Sequence, residues 1–87
     1  MYVDTYSVIL TEKLVKTKKK DLKQYLAIMK KRDFILAHPE HSYKDLHYSM
    51  KGVKRVHLGH LVLTFIIDHD NKTVSFEDFD HHDKIYK

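Results

Sequence analysis

Residues 54–87 read KRVHLGHLVLTFIIDHDNKTVSFEDFDHHDKIYK, and the alternation inside this stretch decides the architecture. From Lys54 to Leu58 successive side chains change face, so Val56 and Leu58 turn to a core while Arg55 and His57 stand together on the opposite surface. Gly59-His60 then supplies a tight turn, glycine taking a backbone conformation that other residues resist. Leu61 to Ile67 returns as a strand apolar on both faces and broken only by Thr64, which predicts a central strand covered by helices on one side. Asp68 to Lys72 is a loop of turn formers, and Thr73 to Phe79 is the last strand of the meander. A guanidinium and a titratable imidazole thus share one surface, a pairing suited to work on phosphate.

Upstream of the meander, Tyr2 to Leu10 sets Tyr6, Val8 and Leu10 against Ser7 and Ile9, the pattern of a strand. Thr11 is placed to cap a helix running to Lys20, with Glu12 favourable in its first turn. Asp21 is placed to cap the next helix, in which Leu22, Tyr25, Leu26, Met29 and Leu36 recur at helical spacing as one apolar stripe. The pattern leaves open whether these are two helices or one bent rod. His38-Pro39 ends the helical stretch, because the residue before proline is pushed out of the α region. Glu40 to Met50 reads as a connection, with a turn of helix around Tyr43 to His47. The order is β-α-α-β-β-β, an α+β fold with helices on one face of a small, mostly antiparallel sheet.

A chain of 87 residues fits a single domain, 1–87, and a composition 43% apolar and 32% charged is that of a folded globular protein. With no cysteine, neither disulfides nor a thiolate zinc site hold it together, and no cofactor is called for. The apolar run from Leu61 to Ile67 is too short to span a bilayer and no basic region precedes the first apolar residues, so the expectation is a cytoplasmic protein with no membrane partner. Charge is unevenly spread. Nine basic residues between Lys13 and Arg32 face Asp21 alone, a local charge of +8, while the remainder carries seven basic against eleven acidic residues, −4. Lys18, Lys19, Lys20 and Lys23 are therefore candidate contacts to a phosphate backbone or an acidic partner, although a lysine-rich helix face is equally often plain solvated surface.

The order of elements, Met50-Lys51-Gly52 before the second strand, the hairpin KRVHLGHLVLTFII and the closing DHHDKIYK together resemble the RelE/ParE toxin superfamily, and most of all its RelE-type messenger-RNA interferases. That family places a leucine-x-glycine before an arginine-rich strand, then a glycine turn, an apolar strand opening with tyrosine-arginine, and a closing histidine-arginine-x-x-valine-tyrosine. Arg55 and His57 fall on its two strand cations. Val62 falls where an arginine opens the next strand, so that cation is missing here. At the end His81 matches the histidine, His82 replaces the arginine, Ile85 replaces the valine and Tyr86 matches the tyrosine.

The resemblance implies a toxin of a toxin–antitoxin pair that cuts ribosome-bound messenger RNA by attack of a ribose 2′-hydroxyl on the adjacent phosphate, without metal or cofactor. Such chemistry requires a base, an acid on the leaving oxygen and cations around the phosphorane. His57, His81 and His82 are the candidate proton-transfer groups, histidine titrating near neutrality at ~6.5. Arg55 would stabilise charge with help from Lys54, and Tyr86 would donate a proton or stack on a base. The partners implied are a cognate antitoxin, messenger RNA and the ribosome. The alternative, motivated by Val62, is a non-catalytic binding module or a ParE-like toxin acting through a protein target. His60 and His69 sit in turns, and His38 and His41 flank the proline; no role is assigned to them. His57-x-x-His60 and Asp80-His81-His82-Asp83 lack the paired spacing of a strong zinc site.

Overall fold

The computed structural model describes residues 6–46 and 52–85. Strand β1 (Ser7–Leu10) leads into α1 (Glu12–Lys20) and α2 (Leu22–Ala37); a short β2 (Lys44–Asp45) precedes β3 (Val53–Leu58), β4 (Leu61–Asp68) and β5 (Thr73–His81), and α3 (His82–Ile85) follows. Among the described residues the strands form one five-stranded sheet in the order β1-β5-β4-β3-β2, with β1 parallel to β5 and every other pair antiparallel. The expected β-α-α-β-β-β order and the central place of β4 are both present. Two short elements add to it, β2 and α3.

Local chemistry explains the boundaries. Asp21 separates the helices: its N–H donates to the Thr17 carbonyl at 2.8 Å to end α1, and its carboxylate accepts from the Gln24 N–H at 3.0 Å to start α2. The extended backbone at Asp21 (φ −153°) makes two helices rather than one bent rod. Helix α2 stops at Ala37, immediately before His38-Pro39. Gly59 takes φ +65° in the β3–β4 turn, between the facing residues Leu58 and Leu61. In the β4–β5 turn the Asp68 carboxylate accepts from the N–H groups of Asp70 and Asn71, both at 3.1 Å, and from the Asn71 amide at 2.7 Å. The Asn71 side chain is the main reason that the Asp68 carboxyl lies below its usual pKa.

The core sits between the helices and one face of the sheet. Leu14 of α1 and Ile28, Met29 and Ile35 of α2 pack with Leu63, Phe65, Val74, Phe76 and Phe79 of the strands, Val56 and Leu58 joining as half-buried neighbours. Phe65 meets the ring edge of Tyr43 at 5.1 Å and lies 5.8 Å from Phe76.

Three expectations need correction. The apolar stripe of α2 is rotated: Met29 is buried and Tyr25 and Leu36 half-buried, but Leu22 and Leu26 are 54% and 57% exposed, while Ile28 and Ile35 are fully buried. A helix with apolar residues at so many phases offers two faces to a core, and packing against α1 and the sheet chose the one centred between Ile28 and Tyr25. Thr11 precedes α1 but its hydroxyl makes no capping bond and is buried without a partner. Around Tyr43 the chain is extended into β2, pairing Lys44 with Arg55 and Asp45 with Lys54, where a helical turn was expected; His47 lies outside the described residues, as does Tyr2 to Thr5 of the first predicted strand.

Candidate functional site

Alternation along β3, β4 and β5 gives the sheet a second face, turned away from the core. Directly opposed residues on neighbouring strands point the same way, so the register aligns two rows across this face: His57, Val62 and Asp80, and beside it Arg55, Thr64 and Asp78. Val62 (0% exposed) and Thr64 (3%) form a closed floor. The outer residues of each row are separated by two strand spacings, about 10 Å at the backbone, and form two rims.

The first rim is Arg55 with His57. Arg55 Nη1 lies 3.1 Å from His57 Nε2, and Arg55 Nε donates to the Asp45 carbonyl at 3.0 Å, which is how the short strand β2 orients the guanidinium. A guanidinium has no lone pair to offer, so in this contact Arg55 donates and His57 Nε2 accepts.

The second rim was not foreseen. Strand β1 ends at Leu10, so the half of β5 beyond Phe76 has α1 beside it rather than a paired strand. Lys13, at the start of α1, reaches Asp78 Oδ1 at 2.8 Å and Asp80 Oδ2 at 2.9 Å. The hydrogen bond that Lys13 donates to Asp78 is the largest influence raising the Lys13 pKa above its ordinary value, with Asp80 adding to it. Conversely the Lys13 ammonium, followed by the His81 N–H, holds the Asp80 carboxyl below the usual range. The alternation Asp78-Phe79-Asp80 already places both carboxylates on one face, so a strand carried on to His81 would have revealed the acidic pair. Nothing in the sequence foretells Lys13, whose position depends on where α1 packs.

The remaining predicted residues that are described do not join the Arg55–His57 rim. Lys54 stands on the opposite pleat from Arg55 and pairs with Asp45 Oδ1 at 2.7 Å. His81 is exposed and lies opposite Leu61, on the pleat that faces away from His57. His82 opens α3; its side chain, like Tyr86, lies outside the described residues. Lys18, Lys19 and Lys20 are exposed in the last turn of α1 and Lys23 in the first turn of α2, so they belong to the helical layer rather than to the Arg55–His57 face.

No family model matches the chain. A candidate toxin, RelE4, of Methanocaldococcus jannaschii is 49% identical over 75 residues, covering 85% of this chain and 79% of that protein. Among solved structures, the RelBE2 toxin–antitoxin complex of Mycobacterium tuberculosis shares the fold with a TM-score of 0.66 at 23% identity, covering 91% of this chain and 100% of the matched one. The archaeal RelE–RelB complex of Pyrococcus horikoshii matches with a TM-score of 0.64 at 15% identity over 90% and 96% of the two chains. At such low identity these two attest the fold alone, but identity of one residue in two along most of a relative's length goes further: the chain belongs to the RelE family of toxins from toxin–antitoxin systems.

Proposed function

We propose that this protein is the toxin of a toxin–antitoxin pair and an endoribonuclease that cuts messenger RNA on the ribosome, in the cytoplasm, by 2′-hydroxyl attack on the neighbouring phosphate. The observation that carries the reading is the contact between Arg55 and His57 on an otherwise closed polar face. In the resting arrangement Arg55 occupies the Nε2 lone pair that a general base would use. A phosphate bound at the rim draws the guanidinium to itself, since charge-assisted and bidentate pairing with phosphate outcompetes a bond to a neutral imidazole. Release of Nε2 then leaves His57 able to take the 2′-hydroxyl proton while Arg55 stabilises the charge on the phosphorane. Substrate binding and base activation are one event in this scheme. His81, His82 and Tyr86 at the end of the chain are the candidates for the proton delivered to the leaving oxygen, and a cognate antitoxin is the proposed restraint on the activity.

Expression of the protein without an antitoxin, with messenger-RNA 5′ ends mapped afterwards, tests the reading. Growth arrest and cleavage within translated regions are expected from the wild type. Arg55→Ala and His57→Ala should each lose cleavage by ~10²–10⁴-fold, the usual effect of removing one general acid or base or one charge-stabilising group, with the fold retained. Arrest that persists undiminished in both variants would place the chemistry elsewhere.

A second reading is favoured by the floor and the far rim. Val62 brings no cation to the position where the family pattern has one, and Lys13 and Arg55 stand against the two carboxylates Asp78 and Asp80, so the described ionic groups of these two rows carry no net positive charge. A toxin-fold module that acts through a protein target, without cutting RNA, has that surface. Growth arrest with intact message in the same experiment would select it.

A further inference from the structure

His41, His69 and Lys54, which the RNA-cutting reading leaves without a task, line one cavity. Its origin lies in the sequence. Helix α2 stops at Ala37 before His38-Pro39, and the loop from Pro39 to Tyr43 supplies the wall beyond it. On the sheet side Lys54 opposes Phe65, on the pleat that faces the core, and the same register carried on sets Gly52 beside Ile67. Gly52 (φ +98°) brings no side chain, and the space that a Cβ would occupy is open. A hollow of about 380 Å³ results, within the ~300–1,000 Å³ of small-ligand sites.

The loop side is aromatic. The His41 and Tyr43 rings lie 4.8 Å apart, centre to centre, and Tyr43 is held by donating its hydroxyl to the His38 carbonyl at 2.9 Å and by its edge contact with Phe65. The sheet side is polar. Lys54 Nζ gives one N–H to Asp45 Oδ1 at 2.7 Å, and an ammonium has three to give. His69 Nδ1 is engaged with the Tyr6 hydroxyl at 2.8 Å, which leaves Nε2 without a partner among the described residues. Glu40 stands at the mouth, 3.7 Å from His69 Nδ1, and its side chain is 83% exposed, so it turns to water when an anion enters. Aromatic rings facing an ammonium and an imidazole suit a ligand that is planar at one end and anionic at the other. A metal ion is poorly served, because among the described residues no three His, Asp or Glu side chains gather closely enough to hold one. A small inorganic anion would engage Lys54 and leave the rings and Ile67 uncovered.

We propose that this cavity binds a nucleoside monophosphate unit, its base laid against the His41 and Tyr43 rings and its phosphate held by Lys54 and His69. A free nucleotide and a nucleotide within an RNA strand share that chemistry. The cavity opens on the pleat opposite to Arg55, so it is separate from the rim at which cleavage is proposed. It goes beyond the toxin reading and does not depend on it.

The test follows the backbone amide resonances of the full-length protein during titration with adenosine monophosphate, adenosine and inorganic phosphate. Adenosine monophosphate is expected to shift His41, Tyr43, Gly52, Lys54 and His69 saturably. Adenosine and inorganic phosphate should each bind about tenfold more weakly or worse, since each lacks one half of the contacts. Lys54→Gln and His41→Ala should weaken the nucleotide by about tenfold as well, while Arg55→Ala should bind it as the wild type does. His41 is exposed on a loop, so its substitution keeps the fold even where Lys54→Gln disturbs the pairing with Asp45. Absence of saturable shifts, equal binding by inorganic phosphate, indifference to both cavity variants, or loss of binding in Arg55→Ala overturns the proposal, the last by placing the nucleotide on the other face. A short oligoadenylate added to the Arg55→Ala protein separates the two sources: displacement of the mononucleotide assigns the cavity to a nucleotide within a strand, and no displacement assigns it to the free one. Growth arrest and message cleavage are not read in this titration, so its failure leaves the toxin reading standing, and failure of that reading leaves this site.

Discussion

Lys13 and Arg55 arrive on the same face of the sheet by different routes, one from the first turn of a helix and the other from a strand. Arg55 was legible because alternation in a hairpin fixes which side chains share a surface; Lys13 was not, because its reach depends on the packing of α1 at the edge of β5. The pair of carboxylates that it meets gives a pH signature. Asp80 is depressed below its ordinary 3.8, so its contribution to stability is complete above that value and is lost as pH falls through the depressed one. Lys13 is raised above its ordinary 10.5, so its contribution is complete below that value and is lost as pH rises through the raised one. Both are therefore in place from about pH 4 to pH 10. Lys13→Met is expected to lower the melting temperature across that window, by an amount worth no more than about 1 kcal/mol given the exposure of the groups, and the gap to wild type should close as pH falls below the carboxylate range. A gap constant down to strong acid would mean that Lys13 acts through its methylenes alone.

At the level of the element, the meander and both helices were legible, and the rotation of α2 was not. Period-2 alternation has two phases, and one of them put polar groups in the core, so the strand register followed directly. In α2 the apolar residues Leu22, Leu26, Ile28, Met29, Phe34 and Ile35 occupy most of the circumference, and no periodicity says which arc is covered. Phe65→Ala and Leu26→Ala separate the two cases. The first empties a fully buried position in the central strand and should cost about 3–5 kcal/mol; the second trims an exposed side chain and should stay within ~0.5 kcal/mol. Urea unfolding at neutral pH measures both, and comparable losses would mean that α2 packs by the other face. The brief pairing of β2 escaped sequence reading because Lys44-Asp45 has no apolar alternation; what holds it is Asp45, through its carboxylate on Lys54 and its carbonyl on Arg55.

Across the whole molecule, charge is sorted by layer. The helical layer carries Lys16, Lys18, Lys19, Lys20, Lys23, Lys30 and Lys31, whereas the far face of the sheet sets Arg55 and Lys13 against Asp78 and Asp80. The uneven charge was plain in the sequence; that it falls on the layer opposite His57 required the fold. On the proposed function, the helices are the layer suited to grip a phosphate backbone and the far face of the sheet the one that addresses the message. Changing Lys18, Lys19 and Lys20 to glutamine should flatten the dependence of RNA binding on salt, each lost phosphate contact removing about 0.7–0.9 from the log–log slope. Filter binding across a salt series gives the slope directly, and an unaltered one would make these lysines solvated bystanders.

The parallel pairing of β1 with β5 sets Ser7 opposite Thr73 and Leu10 opposite Phe76. Partners are separated by 66 residues of the 87, so among the described strand pairings this closure is the most expensive loop and comes after the local hairpins β3–β4 and β4–β5. During synthesis the first strand leaves the ribosome with no neighbour to pair with, and it must wait as an unpaired segment until the last strand has been made. A message broken between the codons for β4 and those for β5 thus yields a polypeptide that lacks the strand joining the two ends of the chain, with β1 unpaired and one edge of β4 open.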